Sequence, residues 1–184
     1  MSNITKRAMA QSLKKMLLVK DLDKITITDI TKDCGINRQT FYYHFKDIYD
    51  LLEWIFANEV VEKIEKETTI ETWQENFKYV LDYMQKNKKF IIKTYNSLSR
   101  KTLLDFLFNQ YNTIFIEIVN DLSKNYNITK ENKIFIANFY KYGFAGIIEN
   151  WIVTEMKESP ESIIKKMDVM ISGSFEEAVK KMSN

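Results

Sequence analysis

Residues Thr26 to Phe45 read T-I-T-D-I-T-K-D-C-G-I-N-R-Q-T-F-Y-Y-H-F, and this stretch decides the fold. Thr26 or Thr28 can open a short helix, because a hydroxyl accepts hydrogen bonds from backbone N–H groups that a first helical turn leaves unpaired. Cys34-Gly35 closes that helix, since Gly adopts the left-handed backbone of a tight stop. Asn37 is a good N-cap for a second short helix, Arg38 to Phe45. Phe41 and Phe45, spaced four apart, face inward together with Ile30 and Ile36. Two short helices joined by a turn containing Gly are a helix-turn-helix unit.

The chain on either side reads as further helices. Upstream, Met9, Leu13, Met16 and Leu17 form one stripe of a helix from about Thr5 to Lys20, followed by a polar break at Asp21 to Lys24. Downstream, Asp47 can cap a helix carrying Leu51, Leu52, Ile55, Phe56, Val60 and Ile64. Further helices are expected at about Glu71 to Gln85, Lys88 to Tyr95 and Arg100 to Lys124. The last of these has Leu104, Leu107, Phe108, Tyr111, Phe115, Ile118 and Leu122 on its inner side. From Ile134 to Val153 the only charges are Lys141 and Glu149, so this helix must be covered on most sides, by its own bundle and by another subunit. Gly143 and Gly146 would allow a neighbouring helix to come close. Ser159-Pro160-Glu161 marks a sharp helix start. After it, Ile164, Met167, Ile171, Phe175, Ala178 and Met182 repeat as a single pairing seam, with Gly173 unexplained in its middle.

Only 4 Gly and 1 Pro occur in 184 residues, too few for the frequent turns of a barrel or sandwich. The expected class is therefore all-α, with a helix-turn-helix domain over residues 1–46 and a helical bundle over 47–184. One Cys excludes an internal disulfide framework, and one His excludes a His-rich metal site. Cys34 has no cation immediately beside it and is expected as a small buried residue at the helix crossing. No Ser, Cys or carboxylate stands at recognisable spacing from His44, so no enzyme activity, cofactor or metal is expected. No secretory leader and no apolar run of about 20 residues is visible, which points to a cytoplasmic protein off the membrane.

Charge singles out one end. The net charge is +2, but residues 1–46 hold nine basic and four acidic residues, leaving the remainder at −3. A basic quarter on an acidic body suits a polyanion. The second short helix carries the matching chemistry. Arg38 can bridge guanine O6 and N7, and Gln39 adenine N6 and N7. Thr40 can donate to a base or phosphate and touch a thymine methyl. Tyr42 and Tyr43 carry hydroxyls at phosphate height, and His44 and Lys46 add donors for the backbone.

Ile27-Thr28-Asp29-Ile30, Cys34-Gly35-Ile36, Thr40-Phe41-Tyr42-Tyr43-His44-Phe45 and Leu51-Leu52 together resemble the TetR-like family of bacterial transcriptional regulators. The resemblance implies DNA contacts by Thr28, Arg38, Gln39, Thr40, Tyr42, Tyr43, His44 and Lys46. It implies an effector-binding and dimerising body whose last two helices pair with the partner's into a four-helix bundle. Tyr140, Gly143, Phe144, Ile147, Trp151, Met167, Ile171 and Phe175 are the residues expected in that interface. The sequence departs from the family at Ile48, where Lys often opens the fourth helix; Lys46 can substitute. Phe45 to Phe56 and Tyr142 to Trp151 look like the subset that includes dihydroxyacetone-kinase regulators, which implies no particular ligand.

Aromatics in the body can line an effector pocket or fill the core. The pocket candidates are Tyr83, Tyr95, Phe108, Tyr111, Phe115 and Phe139. The expected function is a homodimeric repressor on a palindromic double-stranded DNA operator, released by an unidentified small-molecule or protein effector. The alternative is an activator or co-regulator controlled by a protein partner, with no small-molecule pocket.

Overall fold

The computed structural model describes residues 2–60, 69, 71–97 and 100–183. Among them are ten α-helices and no strand: α1 (Ser2–Leu17), α2 (Ile27–Asp33), α3 (Arg38–His44), α4 (Ile48–Glu59), α5 (Trp73–Lys86), α6 (Lys88–Tyr95), α7 (Arg100–Leu122), α8 (Lys130–Val153), α9 (Pro160–Ile171) and α10 (Ser174–Lys181). The all-α expectation holds. The chain forms two compact units, one of Met1–Lys63 with Asn87–Phe106, the other of Ile64–Lys86 with Leu107–Asn184.

In the first unit, α1 packs on α2, α4 and α6, and α2 packs on α3. Its core is Met9, Leu13, Leu17, Ile30, Phe41, Phe45, Leu51, Leu52, Ile55, Phe56, Phe90 and Ile91. The compact unit thus runs past residue 46, because the apolar sides of α4 and α6 have nowhere else to be buried. The helix α1 starts three residues earlier than expected and ends at Leu17, leaving Leu18 and Val19 exposed. The break at Asp21 to Lys24 is less polar than it reads: a 3₁₀ turn at Leu22–Lys24 buries Leu22, and Ile25 follows it inward. Ile64, expected on α4, lies outside the described residues.

The second unit pairs α5 with α9, and α10 with both α8 and α9. Aromatic rings fill it. Phe115 lies 4.7 Å from Phe144 and 5.9 Å from Phe175, while Phe77 lies 5.5 Å from Tyr111 and 5.1 Å from Phe144. The inner side of α7 here is Leu107, Tyr111, Phe115, Ile118 and Val119, with Phe108 and Leu122 only half-buried.

The final seam is corrected in two ways. It is not one helix: Gly173 adopts φ +76°, the left-handed region that L side chains avoid, and separates α9 from α10. This gives Gly173 its role. The buried stripe is Ile163, Met167, Ile171, Phe175 and Val179, so Ile164, Ala178 and Met182 sit off it. The buried stripe keeps its four-residue step across the break, so apolar spacing alone does not show that the helix ends at Gly173.

Candidate nucleic-acid interface

The helix-turn-helix is held by local hydrogen bonds that its sequence dictates. Thr26 Oγ1 accepts from the Asp29 N–H at 3.1 Å, and Asp29 Oδ2 accepts from the Thr26 N–H at 3.0 Å. This reciprocal capping box starts α2. The Thr26 N–H and hydroxyl hold the Asp29 carboxyl below the ordinary carboxylate range. At the other end, the Ile36 N–H reaches the Thr31 carbonyl and the Gly35 N–H the Lys32 carbonyl, with Gly35 at φ +66°. These two bonds are a Schellman stop, which fixes the angle at which the chain enters α3.

Asn37 caps α3: its Oδ1 accepts from the Thr40 N–H at 2.8 Å and from the Thr40 hydroxyl at 3.0 Å. With its proton on Asn37, the Thr40 hydroxyl keeps its lone pairs and its methyl for other contacts. Phe41 is fully buried, and Phe45 follows it into the core against Trp54 at 5.9 Å. With the helix anchored on those two rings, Arg38, Gln39, Tyr42, Tyr43 and Lys46 are exposed, Tyr43 at 82%. His44 is half-buried beside the Tyr43 ring at 4.8 Å. Arg38 Nη2 donates to the Tyr42 hydroxyl at 3.1 Å. Thr28, in the first turn of α2, is half-buried.

Two residues near this surface escaped the sequence reading. Lys6 sets its ammonium 5.5 Å from the Phe45 ring centre and 5.9 Å from that of Trp54, capping the rings that anchor α3. Tyr49 is exposed in the first turn of α4, beside the position where Ile48 departs from the family. No spacing rule finds Lys6, because its partners are 39 and 48 residues away in sequence. Cys34 is half-buried, and burial pushes its thiol up, away from a reactive thiolate.

The six pocket candidates do not line one cavity within either unit. Tyr95 belongs to the first unit, where the Arg100 guanidinium lies 4.5 Å from its ring centre. Tyr111 and Phe115 are buried in the ring cluster of the second unit, Tyr83 and Phe108 are half-buried, and Phe139 is exposed. Burial pushes the Tyr111 phenol far above its ordinary value, and its hydroxyl has no hydrogen-bond partner among the described residues.

The expected interface residues divide. Tyr140, Gly143, Phe144, Ile147, Met167 and Ile171 line one open groove of about 640 Å³ between α8 and α9, together with Phe139, Tyr142, Ile163 and Met170. Trp151 and Phe175 face the unit's own core. Trp151 Nε1 donates to the Glu158 carbonyl at 2.8 Å, and Phe175 stacks on Tyr140 at 3.6 Å. Among the described residues no helix is long and apolar enough to cross a membrane, and no three acidic, His or Cys side chains are grouped to hold a metal ion.

Residues 14–55 match the family model for bacterial regulatory proteins of the tetR family, and residues 71–173 match a TetR-type model for the C-terminal region of transcriptional regulators. The chain is 27% identical over 154 residues to DhaS, the HTH-type transcriptional activator of the dhaKLM operon in Lactococcus lactis subsp. lactis (strain IL1403), which spans 83% of this chain and 81% of that protein. A solved structure of the dihydroxyacetone kinase operon activator DhaS shares the fold, with TM-score 0.72 and 24% identity over 98% of this chain and 99% of that one. So does NalD, described as the secondary repressor of the MexAB-OprM multidrug efflux pump in Pseudomonas aeruginosa, with TM-score 0.53 and 12% identity over 91% and 94%. The capped, outward-facing α3 and the two matches that together take in most of the chain lead to one conclusion: this protein belongs to the TetR family and is a DNA-binding transcriptional regulator.

Proposed function

We propose that the chain acts as a homodimer on a palindromic or near-palindromic operator, each copy laying α3 in the major groove. The observation that carries this reading is the row Arg38, Gln39, Tyr42 and Tyr43, exposed on a helix anchored from beneath by Phe41 and Phe45. Two-fold symmetry then sets the half-sites about one turn, ~34–36 Å, or a multiple of it apart. The second copy covers the groove between α8 and α9. Isologous pairing removes the exposed rings of Phe139 and Tyr142 and the side chains of Ile147 and Met170 from water.

The direction of control that we infer is activation, the alternative in the sequence reading. Its support is the description of the 27% identical relative as an activator. The packing of Tyr111 and Phe115 on neighbouring rings also favours control by a protein partner over a small molecule held by those residues. The site of action is the cytoplasm, where the operator is.

Fluorescence anisotropy on the promoter DNA beside the gene tests the DNA contacts. Arg38→Ala is expected to relax base preference at one position of each half-site. Lys46→Ala is expected to weaken all sequences alike and flatten the salt dependence. If neither substitution alters binding, the assignment of α3 is wrong. A reporter carrying that promoter tests direction: deleting the regulator lowers output under activation and raises it under repression.

A further inference from the structure

Arg38 and Tyr42 stand four residues apart on the exposed side of α3, where side chains one turn apart meet. Arg38 Nη2 donates to the Tyr42 hydroxyl at 3.1 Å, and the guanidinium carbon lies 5.8 Å from the Tyr42 ring centre. The Tyr42 ring, half exposed to solvent, rests on the core on one side: it meets Phe41 edge-on at 5.8 Å and 86°, and Phe41 is fully buried. A chain of contacts therefore runs from the core through an aromatic edge to the one arginine of α3.

We propose that Tyr42 is a specificity-determining positioning residue, which holds the Arg38 guanidinium in the orientation that reads a guanine. The proposal rests on the reading of α3 as the base-reading helix. An exposed arginine samples many rotamers, and ordering it on binding costs affinity for the correct base. Tyr42 removes part of that cost beforehand. Its hydroxyl occupies one Nη2 proton and leaves four others on the planar group. Those include the parallel pair that matches guanine N7 and O6. Tyr42 thus acts on sequence preference through Arg38, in addition to whatever contact its ring edge makes in the groove.

The test uses the full chain and the best site selected from a random-sequence DNA pool, with every base pair of that site then substituted in turn. Tyr42→Phe keeps the ring against Phe41 and deletes only the hydroxyl. It is expected to reduce discrimination at the position read by Arg38 by about 3- to 10-fold, the effect of one lost hydrogen bond. Affinity for random DNA should fall by less than this discrimination does, because only the position read by Arg38 depends on the ordered guanidinium. In an Arg38→Ala background, Tyr42→Phe is expected to reduce discrimination at that position no further, because the two act on it as one unit. A uniform loss on all sequences, undiminished in the Arg38→Ala background, overturns the proposal and makes Tyr42 a direct phosphate contact. Unchanged discrimination in Tyr42→Phe overturns it too. If Arg38→Ala itself leaves base preference intact, the base-reading assignment falls, and the proposal falls with it.

Discussion

Helices α3 and α8 both present side chains to solvent, and they do so for opposite reasons. The helix α3 has seven residues, too few to persist alone, and relies on the Asn37 cap and on one fully buried ring, Phe41. What it exposes is polar or amphipathic: a guanidinium, an amide and two phenols. The helix α8 has 24 residues and buries Ile136, Ala137, Phe144, Ala145, Ile148, Trp151 and Ile152, yet still exposes Phe135, Phe139, Tyr142, Ile147 and Val153. Its apolar side chains are spread around the cylinder, so one unit cannot cover them all. The first exposure prepares hydrogen bonds to a charged partner. The second leaves apolar area to be removed from water, with Gly143 and Gly146 bare along it, where an added Cβ meets nothing within 4 Å. The contrast is between a site held by local capping and an apolar surface that, on the proposed reading, a second copy finishes.

The largest expected effect breaks the α8 side of this contrast. Ile147 lies in the groove at 44% exposure, so Ile147→Asp adds a charge where a partner would sit without cutting into the core. The variant is expected to sediment as a monomer. Its operator affinity should fall by about a hundredfold or more, because the two half-sites are no longer bound as one event. Analytical ultracentrifugation and anisotropy read the two effects. A dimer that persists with full affinity places the subunit contact elsewhere.

A smaller, paired effect sharpens the comparison. Asn37 caps α3, and Thr129 caps α8 by accepting from the Asn132 N–H at 3.2 Å. Replacing either with Ala should cost about 1 kcal/mol of stability. The consequences for DNA should differ. Asn37→Ala frays the first turn of the reading helix and releases the Thr40 hydroxyl, so operator affinity drops several-fold. Thr129→Ala leaves operator affinity unchanged while lowering the melting temperature by a few degrees. Equal losses of operator affinity would mean that the two helix starts are not independent.

Much of this was readable in the sequence where the signal is local. Thr26, Asn37, Asp47 and Ser159 cap the helices that their side chains suggest, and Gly35 sits at the left-handed stop. Three features were not readable, each for a physical reason. Gly173 interrupts a pattern whose apolar spacing continues on both sides, so periodicity alone runs through the break. Phe139 reads as a pocket residue because an aromatic on an apolar helix has no sequence mark for which face it occupies; here it lines the open groove. Lys6 is only one more basic residue of the N-terminal quarter until the folded chain brings it over Phe45 and Trp54. Caps and turns depend on neighbours within four residues, whereas grooves and ring contacts depend on which distant helices meet.

The smallest expected effect concerns the core that α8 helps to close. The Tyr111 hydroxyl is fully buried among rings and has no hydrogen-bond partner among the described residues. A buried unsatisfied hydroxyl gives up its hydration without replacement, while the ring beneath it contributes the usual apolar burial. Tyr111→Phe keeps the ring against Phe77 and deletes the cost. It is expected to stabilise the second unit by about 0.5–1 kcal/mol, raising the melting temperature by a few degrees at most. Operator affinity in the purified protein should not change, because Tyr111 belongs to the unit that lacks α3. Calorimetry checks the sign, and the sign carries the meaning. A gain identifies the hydroxyl as a burden on a core filled by its own rings. A loss shows that the hydroxyl is hydrogen-bonded in the folded protein, to water or another polar group, and that this core is not closed by its own rings alone.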